Sequence, residues 1–208
     1  MEGTLIANTA ALRIHVPPLS ALRPKSGTED AEARLVERAK ERRPSAWVQI
    51  YDDHYRRLYL YCYARTGGRA VAAKLASLVF LQALKEIDHL VHWSGQSLLA
   101  WLYGMARSHV DGHIERESSC DQVVDADDEG REMAWIRSLP REQQEVLALQ
   151  YYAGCTTAEI AKVIERPEQF VEGLKARALR GLLHAGKLRP DATLPTAPAL
   201  AGERRVRA

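Results

Sequence analysis

Phenylalanine occurs only twice in 208 residues, at Phe80 and Phe170, and few segments alternate apolar and polar residues with period two. Half-buried strands need that alternation, so a chain dominated by alanine, leucine, arginine and glutamate is expected to be all-α. Cysteine is scarce as well. Cys62, Cys120 and Cys155 are an odd number without the spacing of a metal site or disulfide framework, which fits a reducing compartment. No apolar run reaches the length of a membrane helix and no signal peptide is evident, so a cytoplasmic protein without membrane insertion is expected. Charge of one sign is also lacking: 29 Lys and Arg against 27 Asp and Glu leave a formal +2. That balance argues against a binder held by bulk electrostatics and leaves any nucleic-acid contact to local patches. No nucleophile with its base, carboxylate pair or phosphate loop stands out, so catalysis is not expected and no cofactor is implied.

At 46% hydrophobic and 27% charged, the chain suits one or two small globular domains. Residues 1–28 mix Pro17-Pro18, Pro24 and small polar residues without periodicity and read as a flexible leader. A helix is predicted from Glu29 to about Arg43, and Pro44-Ser45 opens the next. That second helix carries Trp47, Tyr51, Tyr55, Tyr59 and Tyr63, whose spacing keeps the rings on one slowly drifting face. A packed aromatic core explains the series better than a base-stacking platform. Gly67-Gly68 stops the helix, and Val71 to Ile87 forms another with Leu75, Leu78, Val79, Leu81 and Leu84 expected to be buried. Between Glu117 and Gly130 stand six acids and no Lys or Arg, which marks an acidic linker over 117–131. It separates a helical domain at 29–116 from a second at 132–188. Residues 189–208 hold three prolines, end in Arg204-Arg205-Val206-Arg207, and are expected to form a disordered basic tail.

The second domain is the more informative. Leu139-Pro140-Arg141-Glu142 puts a proline where a helix begins, with an acid soon after it. Val146, Leu147, Leu149 and Tyr151 give this helix an apolar face, and Gly154 its stop. Thr156 or Thr157 caps the next, whose Ala158, Ile160, Ala161, Val163 and Ile164 make a small-residue inner face that a crossing helix can approach closely. Glu165-Arg166-Pro167 breaks it, and Phe170, Val171, Leu174 and Ala178 form the apolar stripe of a final helix. This is helix-turn-helix spacing, although three amphipathic helices also make an ordinary bundle. In the first case the last helix enters the major groove, with Lys175, Arg177 and Arg180 as its cations.

Leu139-Pro140, the run Glu142 to Leu149, Tyr151-Tyr152-Ala153-Gly154, Thr157-Ala158-Glu159-Ile160-Ala161 and Arg177-Ala178 together resemble region 4 of the sigma-70 family of RNA polymerase sigma factors. Upstream, Leu35-Val36-Glu37-Arg38-Ala39, Ala46-Trp47, Tyr51, His54-Tyr55 and Leu58-Tyr59 resemble the opening helices of sigma region 2. Trp101-Leu102-Tyr103-Gly104-Met105-Ala106-Arg107 and Val110-Asp111 to Arg116 resemble its DNA-facing helix. Both regions in this order, with no region 3 between them, resemble the compact extracytoplasmic-function group. The resemblance implies a factor that binds core RNA polymerase through region 2, reads the −35 promoter element with region 4, and recognises and melts the −10 element with region 2. Core RNA polymerase and promoter DNA are the implied partners, an anti-sigma factor a further one, and the free factor a monomer.

By that resemblance the −10 contacts fall on Trp93, in the loop where the family captures a flipped base, and on Arg107, Ser108, His113 and Arg116. Trp93 suits a plug that closes the loop against its domain equally well. The −35 contacts fall on Thr157, Glu172, Lys175, Arg177 and Arg180, and the polymerase-binding surface on Lys74, Ser77, Leu78 and Leu81. Some positions depart from the family pattern, which usually has an aspartate near Lys74, a glutamine near Ser77 and an acid near Leu78. These departures keep two alternatives open: a sigma-like regulator or anti-sigma decoy without initiation activity, and a free-standing helix-turn-helix DNA-binding regulator. In the recognition helix, Glu172 would repel a phosphate yet can accept from a cytosine amino group, and Gly173 costs roughly 1 kcal/mol of helix stability relative to alanine. Weak or unusual −35 readout is expected. His109 and His113 stand four apart, a spacing that suits zinc with His89, His92 or Cys120 as further ligands. No second close ligand pair has fixed spacing, and no metal is expected.

Overall fold

The computed structural model describes residues 29–90, 97–118 and 134–184, and these are mostly helical, with no strand among them. The leader at 1–28, Trp93 and His92, most of the acidic linker with Cys120, and the basic tail at 189–208 lie outside the described residues. The helices are α1 (Glu29–Lys40), α2 (Pro44–Thr66), α3 (Arg69–Glu86), α4 (Leu98–Ser118), α5 (Ala134–Arg137), α6 (Arg141–Leu147), α7 (Thr157–Ile164) and α8 (Glu168–His184). A short 3₁₀ turn at Ile87–His89 follows α3, and a π turn at Ala148–Tyr152 continues α6.

The first four helices form one bundle. α1 ends at Lys40, three residues before the expected Arg43. Arg42 turns into the left-handed region at φ 58° and reaches back to the end of α3, where its guanidinium binds Asp88 Oδ2 at 2.6 Å and the Leu84 carbonyl. Pro44 then starts α2 from an extended Arg43. The tyrosine series stacks along α2 with ring centroids 4.6 Å apart for Tyr51–Tyr55 and 6.2 Å for Tyr59–Tyr63. The column runs from a Tyr51 that is 44% exposed to a fully buried Tyr63, so it is core over most of its length. Gly67 closes the helix at φ 77°, its N–H donating to the Tyr63 carbonyl at 2.8 Å. A Cβ there would also meet the guanidinium of Arg137, the movable end of a long side chain, so it is the left-handed backbone that requires glycine.

α3 corrects one expectation. Leu75 and Val79 are buried, but Leu78 is only partly so, and Leu81 and Leu84 are exposed at 53% and 40%. The buried arc is Ala72, Leu75, Ala76, Val79, Phe80 and Ala83. A helix with leucines on several sides can bury only one face, and here the buried arc is the side packed among α2 and α4.

The C-terminal helices follow the sequence closely. The π turn lets Ala153 N–H donate to the Ala148 carbonyl at 3.0 Å, and Gly154 reverses the chain at φ 65°. Thr156, rather than Thr157, caps α7: its hydroxyl accepts from Glu159 N–H at 3.2 Å while the Glu159 carboxylate accepts from Thr156 N–H at 2.6 Å. Ile160 and Val163 are buried, whereas Ala158, expected on the inner face, is exposed on the first turn. Val171, Leu174, Ala178 and Leu182 bury α8 against α6 and α7. The two halves do not stand apart. α2 meets α5 and the π turn, α4 meets α7, and the buried side chains of both halves form one continuous apolar cluster.

Candidate nucleic-acid interface

α4 carries two faces of different character. Tyr103, Arg107, Asp111 and Glu115 recur every four residues and form a stripe toward the C-terminal half. Arg107 Nε lies 3.1 Å from Glu145 Oε1 of α6 and 4.0 Å from Asp111 Oδ2. Asp111 in turn accepts from Arg65 Nη2 of α2 at 2.8 Å, and Glu115 pairs with Arg141 at 3.3 Å. The carboxyl of Glu145 is pushed above its ordinary range by burial, which outweighs the attraction of Arg107 and Arg65. The other side of α4 faces outward. Ser108 and Arg116 are exposed, the Ser108 hydroxyl donating to the Gly104 carbonyl, and His113 contacts Glu117 at 2.9 Å. Arg107 is therefore engaged on the interdomain stripe, away from Ser108 and Arg116, so the −10 residues do not share one surface. Trp93 lies outside the described residues. His109 Nε2 lies 2.7 Å from Gln82 Oε1, and no group of three metal-ligating side chains occurs among the described residues.

α8 presents the second set. Its apolar stripe against α6 and α7 turns the polar residues outward. Thr157 Oγ1 donates to Glu172 Oε1 at 2.7 Å and Lys175 Nζ donates to the same oxygen at 2.9 Å. These bonds hold the Glu172 carboxyl below its ordinary range, the Thr157 hydroxyl contributing most and Lys175 next. The structure thus joins Thr157, Glu172 and Lys175 in one network, with the Lys175 charge already opposed. Among the described residues, Arg177 and Arg180, three apart on the exposed side, bond the carbonyls of Gly173 and Ala176 on their own helix. Their charges face solvent, as a phosphate contact needs.

On α3, Lys74 and Ser77 are exposed and continue into Leu81 and Leu84 as one outward stripe, with Leu78 at its edge. Phe80, on the buried side, packs 5.0 Å from the exposed Tyr51 ring of α2. This surface is more apolar than that of a solvated helix.

Two charged residues central to the interdomain contact escaped the sequence reading. Arg57, 4% exposed, donates from Nε to the Ala153 carbonyl at 2.6 Å and lies 3.7 Å from the Cys155 thiol. Glu145, 5% exposed, is not singled out in the sequence at all. Nothing local signals either, because Arg57 meets its partner across 96 residues. Burial pushes both the Cys155 and the Cys62 thiols up to about 12, which leaves them unreactive packing groups.

Family models match both halves: Sigma-70 region 2 over residues 50–119 and Sigma-70, region 4 over 133–182. The chain is 31% identical over 189 residues to the ECF RNA polymerase sigma factor BldN of Streptomyces coelicolor, an alignment covering 81% of this chain and 70% of that protein. Among solved structures it resembles CnrH in complex with the cytosolic domain of CnrY, with a TM-score of 0.61 at 20% identity over 75% of this chain and 99% of the other. The RsbN–BldN complex matches over 72% of this chain and 98% of the other, with 31% identity and a TM-score of 0.36. With a helix-turn-helix half and a helical bundle half in the family's order, each matched by its own region model, the chain belongs to the sigma-70 family as an extracytoplasmic-function RNA polymerase sigma factor, a promoter-recognising initiation factor.

Proposed function

We propose how this sigma factor divides its work among its surfaces. The outward side of α4, with Ser108, His113 and Arg116, and Arg107 on the neighbouring stripe, takes the −10 element together with Trp93. α8 takes the −35 element: Arg177 and Arg180 hold phosphates or base edges, and the Thr157–Glu172–Lys175 network sets the helix against the groove, with Glu172 placed to accept from a cytosine amino group. The stripe Lys74, Ser77, Leu78 and Leu81, extended by Leu84, docks core RNA polymerase. The observation that carries this reading is the pairing of an exposed arginine side on a helix-turn-helix recognition helix with an exposed, unusually apolar α3. Where family members present acids and amides, this chain offers leucines and Lys74, so its polymerase contact rests more on apolar burial. The factor has no catalysis of its own in this reading, works in the cytoplasm where its polymerase is, and needs no cofactor. CnrH was solved with the cytosolic domain of CnrY and BldN with RsbN, and a protein that sequesters the factor is a further proposed partner.

Run-off transcription on genomic fragments with core polymerase of the same organism tests the proposal. Specific new transcripts are expected, together with co-elution on a sizing column. Co-elution without transcripts would favour a polymerase-binding regulator, and tight binding of the chain alone to duplex DNA a free-standing regulator. Arg177→Ala should weaken complex formation on promoters about tenfold and lower its salt dependence; unchanged affinity would remove Arg177 from the reading face.

A further inference from the structure

We infer that Gly173 sets the depth at which α8 enters the major groove: the missing side chain at the centre of its outward face lets the backbone sit against the base edges of the −35 element, which makes Gly173 a specificity-determining residue. The inference rests on the −35 role proposed for α8 and adds the residue that fixes its fit.

Two observations carry it. The first is that the fold itself does not require this glycine. Gly173 is an interior residue of α8, outside the left-handed region that Gly67 and Gly154 occupy. Among the described residues, its two neighbours and the helix's own backbone apart, no atom lies within 4 Å of where a Cβ would stand. Neither backbone nor packing therefore calls for glycine, and alanine would hold the helix better because it loses less conformational freedom on folding. At about 100° per residue, Gly173 stands opposite Val171, Ala178 and Leu182, which are buried, and shares its side with Ala176 and Arg180, which are exposed. It lies in the N-terminal half of α8, the part of a recognition helix that contacts base edges.

The second is that the polar side chains flanking it are held close to the helix. Thr157 Oγ1 and Lys175 Nζ donate to the Glu172 carboxylate at 2.7 and 2.9 Å, which turns it along the surface toward α7. Arg177 Nε lies back on the Gly173 carbonyl at 3.3 Å. Held so, neither reaches far beyond the helix, and the helix itself must come close. A helix with its side chains is about 10–12 Å across and the major groove about 12 Å wide, so whatever projects from the centre of the outward face decides how deep the helix seats. A methyl group there would meet the base edges first and keep Glu172 and Arg177 away from them. Gly181 also has open space around its Cβ position, but it is turned about 80° from Gly173 toward the side of Leu174. It supplies the internal comparison.

The test uses the full chain with core polymerase of the same organism, on a promoter fragment recovered by the run-off experiment and on the same fragment with its −35 element scrambled. Gly173→Ala, Gly173→Val and Gly181→Ala are compared with the wild type. In thermal melts by circular dichroism the Gly173→Ala midpoint should rise by about 3 °C. Affinity for the intact fragment should fall about tenfold for Gly173→Ala and further for Gly173→Val, and stay at the wild-type value for Gly181→Ala. On the scrambled fragment all four proteins should bind alike. A gain in stability together with a loss of −35-dependent affinity separates this role from a structural one, which would move both in the same direction. A midpoint lowered by Gly173→Ala, an affinity that does not fall, an equal fall on the scrambled fragment, or as large a fall for Gly181→Ala would overturn the inference. Should Gly173→Val not fold, Gly173→Ala decides alone. Failure of the functional reading looks different: the wild type itself would bind intact and scrambled fragments alike, and the inference would go with it.

Discussion

His54 sits 8% exposed on α2, one turn from Arg57, and its imidazole is held down to about 4, by burial first and by the Arg57 charge second. A histidine whose folded value lies below its ordinary 6.5 stabilises the fold fully above pH 6.5 and loses that contribution as pH falls toward 4, because the unfolded chain takes up the proton first. The shift corresponds to about 3 kcal/mol at full development. Glu145 acts in the opposite sense: its raised carboxyl value favours the folded form at low pH and loses that contribution as pH rises through it. Comparing the wild type with His54→Gln cancels the Glu145 contribution. The difference in unfolding free energy between the two proteins should shrink steadily from pH 7 to pH 4.5 in urea titrations, and a pH-independent difference would show that the ring is not held neutral. Neither residue advertises this in the sequence. An i, i+3 pair of His54 and Arg57 on a helix reads as a polar surface, and only the arrival of the π turn buries it.

Individual helices were the most legible level. Pro44 at the start of α2, the Gly67-Gly68 stop, Gly154, and the break at Glu165-Arg166-Pro167 all appear where local chemistry requires them, since caps and left-handed turns depend on a few adjacent residues. The Thr156 capping box is one such device, and Thr156→Ala should cost about 1 kcal/mol in a thermal or urea melt. Thr157→Ala should cost less stability and act instead on promoter affinity, because its hydroxyl positions Glu172 rather than the helix start. Which face of a helix is buried was less legible, as α3 illustrates. Its leucines lie on several sides, and the buried face is the one that meets α2 and α4. Leu81 and Leu84 are thereby left exposed, and they give the proposed polymerase surface its character. Leu81→Asp should leave the thermal midpoint nearly unchanged while abolishing co-elution with core polymerase. A large fall in the midpoint would mean that Leu81 belongs to the core after all.

At the scale of the whole molecule, one continuous apolar cluster links two halves that the sequence presents as separate domains. Calorimetry should therefore give a single transition for the wild type, whereas Glu145→Lys, which sets a cation against Arg107 and Arg65, should split it into two. Two wild-type transitions would mean that the halves do not share their stability. The sequence by itself determined the all-helical class, the order of the two regions, most helix ends and the family, because each depends on composition, periodicity or residues close together in the chain. The arrangement of the candidate DNA contacts follows helix spacing: Arg177 and Arg180 share an exposed side, and Arg107, nine residues from Arg116, lies on the opposite side of α4, while only the structure shows that it faces a carboxylate 38 positions along the chain. Only the tertiary structure decided that Arg57 and Glu145 are buried, that Leu81 and Leu84 are not, and that region 4 rests on α4. Those outcomes depend on which surfaces meet at long range, and burial, unlike a helix cap, is a property of the partner surface as much as of the residue.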